Sequence, residues 1–123
     1  MNNHSQRATE LFKQGYNCAQ SVFAAFCEEL GIDFEMALKL SSSFGGGMGR
    51  LREVCGAVSG MFAIAGMKYG YTDPKDYKAK AEHYRLIQDL ASRFRAENHS
   101  IICRELLGLG AGPDSPDLEP RTE

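Results

Sequence analysis

The sequence predicts an all-α protein, a compact bundle of five to six helices around a buried, Gly/Ala-rich central helix. Three observations carry that reading. Apolar residues recur at helical spacing, with no internal repeat and no strand-like alternation longer than a few residues. Helix-stopping or helix-starting residues stand between the periodic stretches, at Gly15, Asn17, Gly31 and Gly70. The segment from about Leu51 or Arg52 to Tyr69 is apolar or small on nearly every face, which marks a helix surrounded by others.

Taken in order, a first helix runs from about Ser5 to Gln14 with Ala8, Leu11 and Phe12 as its stripe. Asn17 caps a second, from Cys18 to Leu30, which carries Val22, Phe23, Ala25 and Phe26 and stops at Gly31. Asp33 starts a third, with Met36, Ala37 and Leu40 turned inward, ending in Ser41 to Ser43. A glycine-dense loop follows, and then the central helix. In that helix Gly56 and Gly60 stand four apart, with Ala57 and Ala63 nearby. Glycine costs about 1 kcal/mol inside a helix, so these positions imply that another backbone comes close. Pro74 suits the first turn of a long helix to about Glu97 with Tyr77, Ala81, Tyr84, Ile87, Ala91 and Phe94 on one stripe. Ser100 caps a last short helix, Ile101 to Leu107, stopped by Gly108. The domain is thus expected over residues 1–108, with a polar, proline-containing tail over 109–123.

Composition excludes several classes. A net charge of -2 with no basic patch argues against nucleic acid as a partner. The N-terminal MNNHSQRATELFKQG has no apolar signal core. The longest apolar run, Val54 to Met67, is about 14 residues with three glycines, short of the roughly 20 that a membrane span needs. A cytoplasmic protein with no membrane partner is the expectation.

Four cysteines in such a chain point to catalytic, redox or metal chemistry rather than a structural disulfide framework. They show no C-x-x-C, no haem-attachment and no paired zinc spacing, so any pairing must come through the fold. Cys55 follows Gly45, Gly46, Gly47 and Gly49 and the cations Arg50 and Arg52, entering the first turn of the central helix. A thiol at a helix start beside cations is in an environment that favours thiolate. Cys18 and Cys103 also fall at expected helix starts. Cys27 lies nine residues from Cys18, half a turn away on a continuous helix, beside Phe23 and Phe26. That makes it a core thiol.

The glycine loop matches neither a P-loop nor G-x-G-x-x-G, and no strand precedes it. Its backbone N–H groups, with Arg50 and Arg52, still suit a small anion or polarised substrate beside Cys55. Glu53 reads as a first-turn charge, and His83 and His4 as surface groups. His99, four residues before Cys103, is a candidate base or ligand.

These residues together resemble a known family. Cys55-Gly56-Ala57-Val58-Ser59-Gly60 reads as its C-G-A-x-x-G motif. Asn17-Cys18-Ala19-Gln20, Phe44-Gly45-Gly46-Gly47-Met48-Gly49, Gly66-Met67-Lys68-Tyr69-Gly70 and Cys103-Arg104-Glu105-Leu106-Leu107-Gly108 follow in order. Over about residues 8 to 108 the chain is similar to the C_GCAxxG_C_C-type family of small redox-active proteins. The resemblance implies that Cys18, Cys55 and Cys103 are the family's cysteines. It places a fourth further toward the C-terminus, where this chain has PDSPDLEPRTE and no cysteine.

Three readings follow. In the first, Cys55 is the attacking thiolate of thiol–disulfide or electron-transfer chemistry, with Cys18 or Cys103 resolving and a redox partner or small molecule as substrate. In the second, Cys18, Cys55 and Cys103 are soft ligands of a metal or iron–sulfur cluster, completed by water, His99 or a partner chain. In the third the chain is a non-enzymatic helical module whose Gly-Ala face packs on a second copy as a homodimer. The geometric expectation is that the sulfurs of Cys18, Cys55 and Cys103 cluster and that Cys27 lies apart.

Overall fold

The structure, a computed structural model, describes residues 3–108. The tail expected over 109–123 lies outside the described residues. Helices hold 73% of the described residues, and five of them run seven residues or longer, as an all-α bundle requires. They are α1 (Asn3–Lys13), α2 (Cys18–Ala24), α3 (Cys27–Leu30), α4 (Phe34–Ser41), α5 (Gly45–Met48), α6 (Gly56–Tyr69), α7 (Tyr77–Asn98) and α8 (Cys103–Leu106). A single 3₁₀ turn, Ser42–Phe44, joins α4 to α5.

The caps explain most of the boundaries. The Asn17 side chain accepts from the Gln20 N–H at 2.8 Å while the Gln20 side chain accepts from the Asn17 N–H, a reciprocal box that fixes the start of α2. Asp33 accepts from the Met36 N–H at 3.1 Å and starts α4. Gly31, at φ 71°, closes α3 in the left-handed conformation. His99 closes α7 in the same way at φ 74°, which is costlier for a side chain.

Several elements depart from the sequence reading. The helix expected to run unbroken from Cys18 to Leu30 turns at Ala25–Phe26, so Cys27 opens a new one. The break lets the Phe26 ring stack on His4, with centroids 4.0 Å apart. The central helix starts at Gly56, because Arg50 and Arg52 are left-handed (φ 64° each) and Val54 is drawn into a β-bridge. Cys55 is therefore the residue that flanks α6, not a member of its first turn. The long helix starts at Tyr77, where the Asp76 carboxylate accepts from the Ala79 N–H; Pro74 stays in the turn before it.

Burial sorts the predicted stripes. In α4 the inward residues are Ala37 and Ser41, whereas Met36 and Leu40 are exposed. In α7 only Ala91 is buried, and Tyr77 and Tyr84 stand in solvent, because the main packing partner of α7 is the single helix α6. Tyr84 instead shares a hydrogen bond with Tyr71 at 3.0 Å.

The centre of the bundle is the contact of α2 with α6. A Cβ on Gly60 would stand 3.1 Å from both the Ala19 carbonyl oxygen and the Val22 Cβ, so the two helices come closer there than side chains allow. The Gly-Ala face is thus filled from within by α2. A second copy would have to use a different face. Leu11, Phe23, Ala24, Cys27, Ala37 and Ile64 form the buried core beside this contact. No helix among the described residues is long and apolar enough to cross a membrane.

Candidate functional site

Residues between α5 and α6 pair with those before α8 through one antiparallel bridge, Val54 with Ile102. The bonds that make it come from the two cysteines. The Cys55 N–H donates to the Ile101 carbonyl at 2.7 Å, and the Cys103 N–H donates to the Glu53 carbonyl at 2.6 Å. These bonds flank Val54–Ile102, which is therefore the close, non-hydrogen-bonded kind of pair. Alternation then puts Val54 and Ile102 on one face of the bridge and Glu53, Cys55, Ile101 and Cys103 on the other. Cys55 and Cys103 are diagonal neighbours, a relationship that ordinarily separates Cα atoms by about 7–8 Å.

Gly47 makes room for this arrangement. A Cβ there would lie 2.6 Å from the Cys103 Cβ and 2.9 Å from the Glu53 nitrogen, and its φ is 77°. The loop around it is strained: Met48, Arg50 and Arg52 are left-handed at φ 68°, 64° and 64°. Each such non-glycine residue costs about 1–2 kcal/mol. Arg52 is thereby turned so that its Nη1 points at the Cys103 sulfur, 3.8 Å away. Two of the predicted loop glycines are accounted for by packing, since Gly47 seats Cys103 and a Cβ on Gly45 would overlap the Asn17 side chain. Gly46 and Gly49 are left-handed. Arg50 is half-buried.

Cys18 reaches the same region from α2. A Cβ on Gly56 would stand 3.2 Å from the Cys18 Cβ and 3.0 Å from the Phe44 carbonyl oxygen, so the starts of α2 and α6 and the glycine loop meet at Gly56. Cys27 belongs elsewhere, 8% exposed within the apolar core. All four thiols stand at helix starts, one more than the sequence suggested. The dipole argument applies unequally, however. α8 has four residues and α2 seven, whereas α6 has fourteen, so only Cys55 faces a long stack of aligned peptides.

Exposure divides the pair. Cys103 is buried at 7%, and Cys55 is intermediate. None of the four cysteines is in a disulfide. Among the described residues, no three His, Cys, Asp or Glu side chains converge on a point that a metal ion would occupy. The donor set does not form a ready metal site, so no step is routed through one. His99 is exposed and serves as the C-terminal cap of α7. A cavity of about 440 Å³, lined by Tyr69, Tyr71 and His83 among others, lies at the opposite end of α6 from Cys55. At 1.5 Å per residue that is about 20 Å away, too far to hold a substrate for the thiols.

One polar group in this region escaped the sequence reading. The Ser59 hydroxyl is buried and has no hydrogen-bond partner. The only signal was a lone hydroxyl on an apolar helix, four residues after Cys55.

The family whose sequence profile matches is described as "Putative redox-active protein (C_GCAxxG_C_C)", and the match spans residues 16–122. The chain belongs to this family. The match runs through the segment after Gly108, which contains no cysteine. A protein of Archaeoglobus fulgidus described only as uncharacterized is 30% identical over 121 residues, covering 96% of this chain and 75% of that protein. No solved structure matches. The family description supports redox chemistry in general and names no substrate.

Proposed function

We propose that the protein is a dithiol oxidoreductase in which Cys55 attacks and Cys103 resolves. The observation that carries this reading is the bridge. Both cysteines stand on one face of it, each fixed by its own backbone N–H. Cys55 is the more exposed of the two and flanks the start of the longest buried helix, where a partner disulfide can reach it.

The chemistry balances as ordinary thiol–disulfide exchange. The Cys55 thiolate attacks one sulfur of a partner disulfide; a mixed disulfide forms and the partner's other sulfur leaves as thiolate. The Cys103 thiolate then attacks the Cys55 sulfur. A Cys55–Cys103 disulfide forms, and the second partner thiolate leaves. The partner disulfide has gained two electrons, the protein dithiol has lost two, and the two thiol protons end on the released partner thiols.

Each feature has a part in that cycle. Arg52 sits against the Cys103 sulfur and holds its direction. A disulfide needs Cα atoms about 4.4–6.8 Å apart, less than the usual separation of a diagonal pair, so forming it draws the two segments together. Cys18, beside Gly56, is the alternative resolving thiol.

The test is trapping. Cys103→Ser should accumulate a mixed disulfide at Cys55 when exposed to oxidised glutathione, and the wild type should not. Equal accumulation in both proteins, or glutathione on Cys18 in place of Cys55, would sink the assignment.

A further inference from the structure

A buried serine inside a helix has an obvious partner, the carbonyl four residues back. Ser41 takes it, donating to the Ala37 carbonyl at 2.7 Å. Ser59 does not. The carbonyl four residues back is that of Cys55, and from Ser59 it accepts the backbone N–H, at 2.9 Å, and not the hydroxyl. The Ser59 hydroxyl is orphaned although the residue is only 9% exposed. An orphaned buried donor carries a desolvation penalty, and each one in a native fold calls for an explanation.

Its position suggests the use. Cys55 is the residue that flanks α6 and Ser59 is the fourth residue of that helix, and the Cα–Cβ bond of a helical residue tilts toward the helix N-terminus. Ser59 therefore stands one turn behind Cys55 and leans back toward it. Gly56, Val58 and Gly60 around it are buried and apolar, so no competing polar side chain comes from α6 itself.

We infer that the Ser59 hydroxyl is a positioning donor for the Cys55 sulfur, turning about its Cα–Cβ bond to hydrogen-bond the thiolate. This rests on Cys55 as the attacking thiol. A neutral thiol is a weak acceptor and leaves the hydroxyl idle, whereas a thiolate accepts a charge-assisted bond, so the donor favours the anion over the thiol. The same bond fixes the sulfur's direction before attack.

The experiment follows alkylation of the reduced protein by iodoacetamide, cysteine by cysteine, by mass spectrometry across a pH series. Ser59→Ala should slow Cys55 by about threefold at neutral pH, because the gain in thiolate is partly offset by lower intrinsic nucleophilicity. Its pH–rate profile should move to higher pH, with the Cys103 and Cys18 rates unchanged. Thermal stability should stay equal or rise, since an unsatisfied buried hydroxyl has gone. Ser59→Thr, which keeps the hydroxyl, should retain the wild-type profile. A Cys55 profile in Ser59→Ala that overlays the wild type overturns the inference, as does a Thr variant that behaves like Ala. The readout needs no disulfide partner, so it stands or falls apart from the Cys55–Cys103 exchange.

Discussion

Cys55 and Cys103 donate their backbone N–H groups across the same antiparallel bridge, one from each side of the Val54–Ile102 pair. The two thiols are thus tied to each other through two short hydrogen bonds, although 47 intervening residues separate them in the chain. Anything that loosens the bridge releases both together.

Gly47 is the position where that coupling is most exposed to mutation. Gly47→Ala must place a methyl 2.6 Å from the Cys103 Cβ at a φ of 77°. Overpacking and left-handed strain together predict a loss of about 2–4 kcal/mol in urea unfolding. Gly66→Ala is the contrast: nothing lies within 4 Å of its added Cβ, and the residue is helical. It should gain about 0.5–1 kcal/mol. The opposite signs separate close packing from helix propensity.

Cys27 should be silent in redox assays and audible in stability. It is part of the core with Leu11, Phe23, Ala37 and Ile64. Cys27→Ser buries a hydroxyl in apolar surroundings and should cost about 1–3 kcal/mol by denaturant unfolding, leaving Cys55 reactivity unchanged. Lost Cys55 reactivity in a folded Cys27→Ser protein would contradict the separation of the two regions.

The ion pair of Lys68 with Glu29 makes a pH signature. The side-chain hydrogen bond from Lys68 holds the Glu29 carboxyl below its usual range, and the same bond raises Lys68. For the lowered carboxyl, the extra stability is present above its unfolded value and is lost as pH falls through the folded one. For the raised ammonium it is lost as pH climbs through the folded value, above the ordinary lysine range. The wild type should therefore exceed Glu29→Gln by a small margin at neutral pH, and the margin should vanish in acid. Both side chains are about a third exposed, so added salt should shrink it as well. A margin that persists in acid would rule out the carboxylate as its source.

Much of the fold was legible because its signals are local. Asn17, Gly31 and Asp33 mark boundaries by their own chemistry, and the α6 glycines announced the close approach of α2. What could not be read depends on contacts distant in the chain. No glycine or proline marks the break at Ala25–Phe26; it is stabilised by stacking on His4, twenty-two positions earlier. The helix expected from Leu51 is overridden by the pairing of Val54 with Ile102. Within the site, the cysteines and Arg52 were visible as residues, but the link between Arg52 and Cys103 was not. The sequence suggested that Arg52 serves Cys55, its near neighbour. Ser59 was hidden for a different reason, since its significance is a missing hydrogen bond that only a packed helix reveals.

The most direct test of the account is disulfide mapping after mild oxidation. Reduced protein is treated with a small excess of oxidised glutathione, the remaining thiols are blocked, and the linked peptides are identified by mass spectrometry. The account predicts one intramolecular link, Cys55 to Cys103, with Cys27 recovered as a blocked thiol. A protein whose Cys55 and Cys103 both remain free thiols, or in which Cys55 pairs with Cys18 instead, would contradict it.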